Sequence, residues 1–142
     1  MNRTIKFRGK SIYGDGWLLG SLIKIEKDRY AVIPPLNDIE IGKSIGMYEV
    51  YSETVGQFTG LFDKNRKEIY EGDMIVVNDK YPKLVKYIDD YACFCLANIE
   101  DLDEKMDTGY WHQVSPGWWN SSKREIRVIG NIYDHPELIK EE

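Results

Sequence analysis

Apolar and polar residues alternate in short runs along most of this chain, and glycine, proline and clustered acids interrupt the runs. A two-residue period sends successive side chains to opposite faces, so each run reads as a strand with one face buried. Ile5, Phe7 and then Ile12 and Tyr13 make the first, with Arg and Lys on its other face, ended by Gly9 or by the hairpin signal Gly14-Asp15-Gly16. Trp17 to Ile25 returns as a long strand, and the charged turn Glu26-Lys27-Asp28-Arg29 leads into Tyr30-Ala31-Val32-Ile33. Pro34-Pro35 ends that strand because proline brings no amide hydrogen to a ladder, and residues 34–44 read as an irregular loop.

Ile45 to Tyr51 and Val55 to Leu61 are the next strands. The polar centre of Leu61-Phe62-Asp63-Lys64-Asn65-Arg66-Lys67-Glu68-Ile69 is a tight turn, with Asn65 the residue expected at positive φ. Gly72, between Glu71 and Asp73, permits a sharp corner into Met74-Ile75-Val76-Val77. Asn78 to Pro82 reads as a turn, Lys83 to Ile88 as a strand, and Tyr91 to Ala97 as its partner across Asp89-Asp90. Residues 98–109, apolar at Ile99, Leu102 and Met106, fit either a short helix capped by Asn98 or a mobile acidic loop. Ile126 to Tyr133 is the last strand, and Asp134-His135-Pro136-Glu137-Leu138-Ile139 a capped helical turn. The pattern predicts an all-β chain with few short helices and no internal repeat.

Composition narrows this picture. At 142 residues the chain is long enough to bury roughly two-thirds of its unfolded surface. Hydrophobic residues at 42% and charged residues at 30% place it among globular proteins, and an aromatic content of 13% suits pleated sheets. The net charge of -5 is unevenly spread: residues 1–50 hold eight Lys or Arg against six acids, residues 51–142 eleven against eighteen. Arg3, Lys6, Arg8 and Lys10 stand together with no acid among the first ten residues. Such a basic strand is either a polyanion-facing surface or a solvated edge that deters sheet-to-sheet pairing. Cys93 and Cys95 would share one strand face in a geometry poorly suited to a mutual disulfide, so reduced thiols are expected. No apolar run reaches the roughly 20 residues a membrane helix needs, and no secretory hydrophobic stretch opens the chain, so a cytoplasmic protein is expected.

The segments Ile5-Lys6-Phe7-Arg8-Gly9-Lys10, Gly16-Trp17, Gly20, Val55-Gly56-Gln57-Phe58-Thr59-Gly60-Leu61 and Lys67-Glu68-Ile69-Tyr70-Glu71-Gly72-Asp73 resemble the YopX family of small phage and prophage proteins. Asp63-Lys64-Asn65, Val128-Ile129-Gly130-Asn131-Ile132-Tyr133 and Pro136-Glu137-Leu138 extend the resemblance in the family's order over nearly the whole chain. It implies a barrel-like N-terminal part, residues 1–54, and a C-terminal SH3-like barrel, residues 55–142, with no assigned catalytic residues. One departure stands out: where the family commonly has Asn-Gly, this chain has Asn65-Arg66, which implies a longer or differently typed turn.

The chain's chemically capable residues complete no familiar catalytic or metal-binding motif. Gly42-Lys43-Ser44 lacks the preceding glycine of a phosphate-binding loop, since position 37 is Asn. His112 and His135, with Cys93 and Cys95, match no zinc spacing. Glu71 and Asp73 would share one strand face with no sign of a cleft between carboxylates; Asp73 reads as accepting backbone hydrogen bonds in the Gly72 corner, and Asp89-Asp90 as a hairpin turn. Ser115, Ser121 and Ser122 sit in no nucleophile elbow. No catalytic residue, cofactor or metal is therefore expected.

Two binding classes remain. A nucleic-acid reading would set Arg3, Lys6, Arg8 and Lys10 against phosphates and Trp17 against a base, opposed by a pI near 5.1. A protein-binding reading would use Trp111, Trp118 and Trp119 as anchors, with the acidic stretch Glu100 to Asp107 facing a basic partner. The favoured expectation is a non-catalytic adaptor or regulator that contacts a host or phage protein, with nucleic acid as the alternative, no membrane association and self-association left open.

Overall fold

A computed structural model describes residues 3–14, 16–35, 46–102, 111–121 and 123–138. The chain divides into two compact units, Met1–Gly60 and Leu61–Glu142. The resemblance set the boundary at 54/55, just ahead of a strand; the structural division lies inside that strand.

Unit 1 is built from β1 (Phe7–Lys10), β2 (Trp17–Glu26), β3 (Arg29–Ile33), β4 (Tyr48–Val50) and most of β5 (Gly56–Phe62). They lie antiparallel in the order β4-β3-β2-β1-β5. A single antiparallel bridge from Ser11 to Val50 joins the residue after β1 to β4, flanked by the Tyr51 amide on Lys10 O at 2.8 Å and the Ile12 amide on Glu49 O at 3.2 Å. The end of the first strand therefore meets the fourth through one bridge, with no continuous ladder to close a barrel. Glycines make this possible. A β-carbon on Gly9 would stand 2.8 Å from Val50 Cγ2, and one on Gly20 would collide with the Ile33 carbonyl. Ala31, Val32 and Val50 are the buried floor. Ile12 and Tyr13 belong to the β1–β2 turn and not to the first strand, because the Ser11 amide already bonds Gly16 O at 3.1 Å.

Unit 2 carries β6 (Glu68–Tyr70), β7 (Asp73–Val77), β8 (Lys80–Ile88), β9 (Cys93–Asn98), β10 (His112–Gln113), the four-residue helix α1 (Pro116–Trp119) and β11 (Ile126–Asn131), ending in a 3-10 turn at Pro136–Leu138. Five strands form an antiparallel sheet in the order β10-β9-β8-β7-β11. Both faces are covered. Ile75, Val77, Val85 and Leu96 meet Ile69, Trp119 and Ile126 on one face, while Met74 and Leu84 meet Ile99, Leu102, Trp111, Ile132 and Leu138 on the other. Burial on both sides explains why β7 is apolar at four successive positions instead of alternating.

Local chemistry fixes the corners. Asp63, buried, accepts the amides of Asn65 and Lys67 at 2.8 and 2.9 Å on one oxygen and that of Val128 at 3.2 Å on the other, so one carboxylate binds a turn to the last strand. The residue at positive φ in that turn is Arg66, at 64°, and not Asn65: arginine occupies the position of the family's glycine. Gly72 has φ 95° and abuts Tyr133, and Asp73 takes the Tyr70 amide at 2.8 Å, as the corner reading required. The turn after β7 is confined to Asn78-Asp79, both at positive φ, which is the two-residue hairpin geometry. Tyr81 and Pro82 are part of β8, where the register shift between Ile75 and Val77 marks a bulge that spares Pro82 a ladder bond. Residues 99–101 form a 3-10 turn; the rest of the expected helix or acidic loop, from 103 to 109, lies outside the described residues, as do Gly42-Lys43-Ser44.

Candidate interaction surface

The basic strand was the first candidate. Lys6, Arg8 and Lys10 do share one face of β1, but that face is already furnished with aromatic rings. The Arg8 guanidinium lies 4.5 Å from the centre of the Trp17 ring, Lys10 Nζ 5.5 Å from the same ring, and Lys6 Nζ 5.2 Å from Phe58. Trp17 faces Lys10 directly across the β1–β2 ladder, so the stack follows from strand register. Arg8 is only 8% exposed, which leaves it little surface to offer a phosphate, and half-buried Trp17 stacks against two cations of its own chain. Arg3 is exposed. Sequence spacing showed a row of cations; the rings that hold them come from residues 17 and 58.

The three tryptophans separate. Trp119 is 6% exposed, sits in the core beneath α1 and donates its indole N–H to Phe62 O at 3.2 Å. It is a core residue and not an anchor for a partner. Trp118, one position earlier on the helix and hence about 100° around it, points elsewhere. The rings of the two are 6.1 Å apart, and Arg124 stacks 4.8 Å over Trp118 while donating to its carbonyl at 3.3 Å. Trp111 packs on the opposite face of the sheet, with Lys86 Nζ 5.9 Å from its ring. The three tryptophans form no common patch, because Trp118 and Trp119 pack with one face of the sheet and Trp111 with the other.

What the structure does assemble is a cleft of about 370 Å³ in unit 2, lined by Lys83, Leu96, His112, Gln113, Val114, Ser115 and Trp118. Leu96, Val114 and Trp118 give it an apolar floor, and the polar groups stand around the floor. Lys83 donates to Asn98 Oδ1 at 2.6 Å. Burial lowers the pKa of its ammonium group, opposed by the nearby Asp101 and Glu100 carboxylates. Ser115 Oγ accepts the Trp118 amide at 3.2 Å, which caps α1 and fixes the ring at the cleft. On one flank lies β10, a two-residue edge strand paired with β9 at Leu96 and Cys95. Sequence reading singled out Trp118 and missed the rest: Lys83, Leu96 and His112 lie on three strands, and only their pairing brings them together.

Glu71 accepts the Tyr87 amide at 3.2 Å and Asp73 the Tyr70 amide, so both carboxylates hold backbone corners. His135 accepts the Asn131 amide on Nδ1 at 3.3 Å and packs against Gly130. Among the described residues no three His, Cys, Asp or Glu side chains converge on a point that would hold a metal. Cys93 and Cys95 are free thiols with their sulfurs 3.8 Å apart, on the sheet face opposite His112. Ser122 lies outside the described residues. No helix among the described residues is long and apolar enough to cross a membrane.

Comparison with known proteins gives a family and a fold. The model of the YopX protein family matches residues 6–140. Among solved structures, the crystal structure of protein EF1440 from Enterococcus faecalis is similar, with 22% sequence identity and a TM-score of 0.59 over 98% of this chain and 100% of that one. No curated protein matches the sequence.

Proposed function

The chain belongs to the YopX family, and from that premise we propose that it is a non-catalytic, cytoplasmic accessory protein of phage or prophage, acting by binding a host or phage protein at the unit 2 cleft. The observation that carries this reading is the cleft itself: an apolar floor of Leu96, Val114 and Trp118, rimmed by Lys83, His112 and Gln113, beside a short edge strand. An aromatic ring set in a partly covered depression with polar groups around it is the composition of an interface centre. Unit 2, with five antiparallel strands and a closing 3-10 turn, is read as the SH3-like barrel. The non-catalytic part of the reading draws on Glu71 and Asp73, whose carboxylates are committed to backbone amides.

Affinity capture from a lysate of infected host cells tests it. The full chain should retain a discrete partner, and Trp118→Ala, with unchanged circular dichroism, should lose most of it, a drop of at least tenfold for a central anchor worth about 2 kcal/mol. Equal retention by the folded variant would remove the cleft from the account. A shift of labelled DNA whose affinity falls steeply with salt would install the nucleic-acid reading in its place.

A further inference from the structure

The two cysteines do not take part in the cleft, and their geometry is unlike that of ordinary core thiols. They sit two positions apart at the start of β9, facing the same side, with Sγ atoms 3.8 Å apart and the Cys95 thiol donating to the Cys93 carbonyl at 3.7 Å. Cys95 is buried, whereas Cys93 is partly exposed at the end of the strand and gives access from solvent. Residues two apart on a strand hold their β-carbons too far apart for an unstrained disulfide, so the pair persists as a dithiol. A single atom with two ligand positions can bridge what a direct S–S bond cannot.

The chemistry of the donor set narrows the ion. With His112 on the other face, two sulfurs are the whole cluster among the described residues. Zinc in a structural site takes four ligands. Two soft thiolates with no third His, Cys, Asp or Glu beside them among the described residues favour copper(I), which accepts low coordination. The complex would carry one net negative charge. Lys86 stands in register with Cys95 on the adjacent strand, its Nζ 5.9 Å from the centre of the Trp111 ring.

We propose that Cys93 and Cys95 form a two-sulfur site for a soft, thiophilic ion of the copper(I) class. Binding forms two S–Cu bonds and releases both thiol protons to solvent, with no change in oxidation state. The test is anaerobic titration of the full-length protein with copper(I) against a competing chromophoric chelator. One equivalent retained per chain is expected, and Cys93→Ser should reduce the retained copper at least tenfold while the thermal unfolding profile is kept. Because Cys93 is partly exposed, that variant folds even if Cys95→Ser does not. Failure of the wild-type protein to hold copper against the chelator, or full retention by Cys93→Ser, would overturn the assignment.

Discussion

Single residues carry much of this fold, and Arg66 shows it by what it costs. An L-residue at φ 64° crowds its β-carbon against the backbone, an expense of about 1–2 kcal/mol that glycine escapes. The surrounding turn tolerates it because Asp63 ties three amides to one carboxylate. Arg66→Gly should therefore stabilise the protein by about 0.5–1 kcal/mol, less than the full strain because glycine also loosens the unfolded chain; urea unfolding measures it. Arg8 is the opposite case. Read along the sequence it is a surface cation, but in the fold it is a buried one stacked on Trp17. Arg8→Ala should lower stability by about 1–2 kcal/mol, while the same change at exposed Arg3 leaves the unfolding midpoint in place.

At the scale of elements, alternation and glycine were enough to reveal most strands. β2, β3, β5, β7 and β11 lie where their apolar runs stand, because each run buries one or both faces. Punctuation was less readable. Pro82 suggested a turn, but a bulge in β8 accommodates it; Ile12 and Tyr13 looked like strand, but a turn hydrogen bond at Ser11 claims them. Neither could be seen without knowing which strand lies alongside. β9 offers a titration that belongs to the element. Burial against the sheet, then the hydrogen bond with Cys93, pushes the Cys95 thiol from 9.0 to about 11. The unfolded chain gives up this proton first, so its share of stability is complete below pH 9 and disappears as pH rises toward 11. Denaturation curves of the wild type should weaken more than those of Cys95→Ala over that interval; parallel losses would contradict a raised thiol.

For the whole molecule, the sequence revealed the class of fold and concealed the cleft. All-β architecture follows from period-two patterning, and family membership follows from motifs spread over residues 6–140. The cleft was legible only through Trp118, since its other walls come from β8, β9 and β10 and meet through long-range pairing. Adjacent tryptophans in the sequence suggested a single patch, but helical geometry sent Trp119 into the core and left Trp118 at the cleft. A photoreactive amino acid at Gln113, on the cleft rim, measures the central claim most directly. In host lysate the account predicts a defined protein adduct from position 113, none from a matched probe at Lys24 on exposed β2, and loss of the adduct when Trp118→Ala is added. Equal labelling from both positions, or an adduct at 113 indifferent to Trp118, would contradict it.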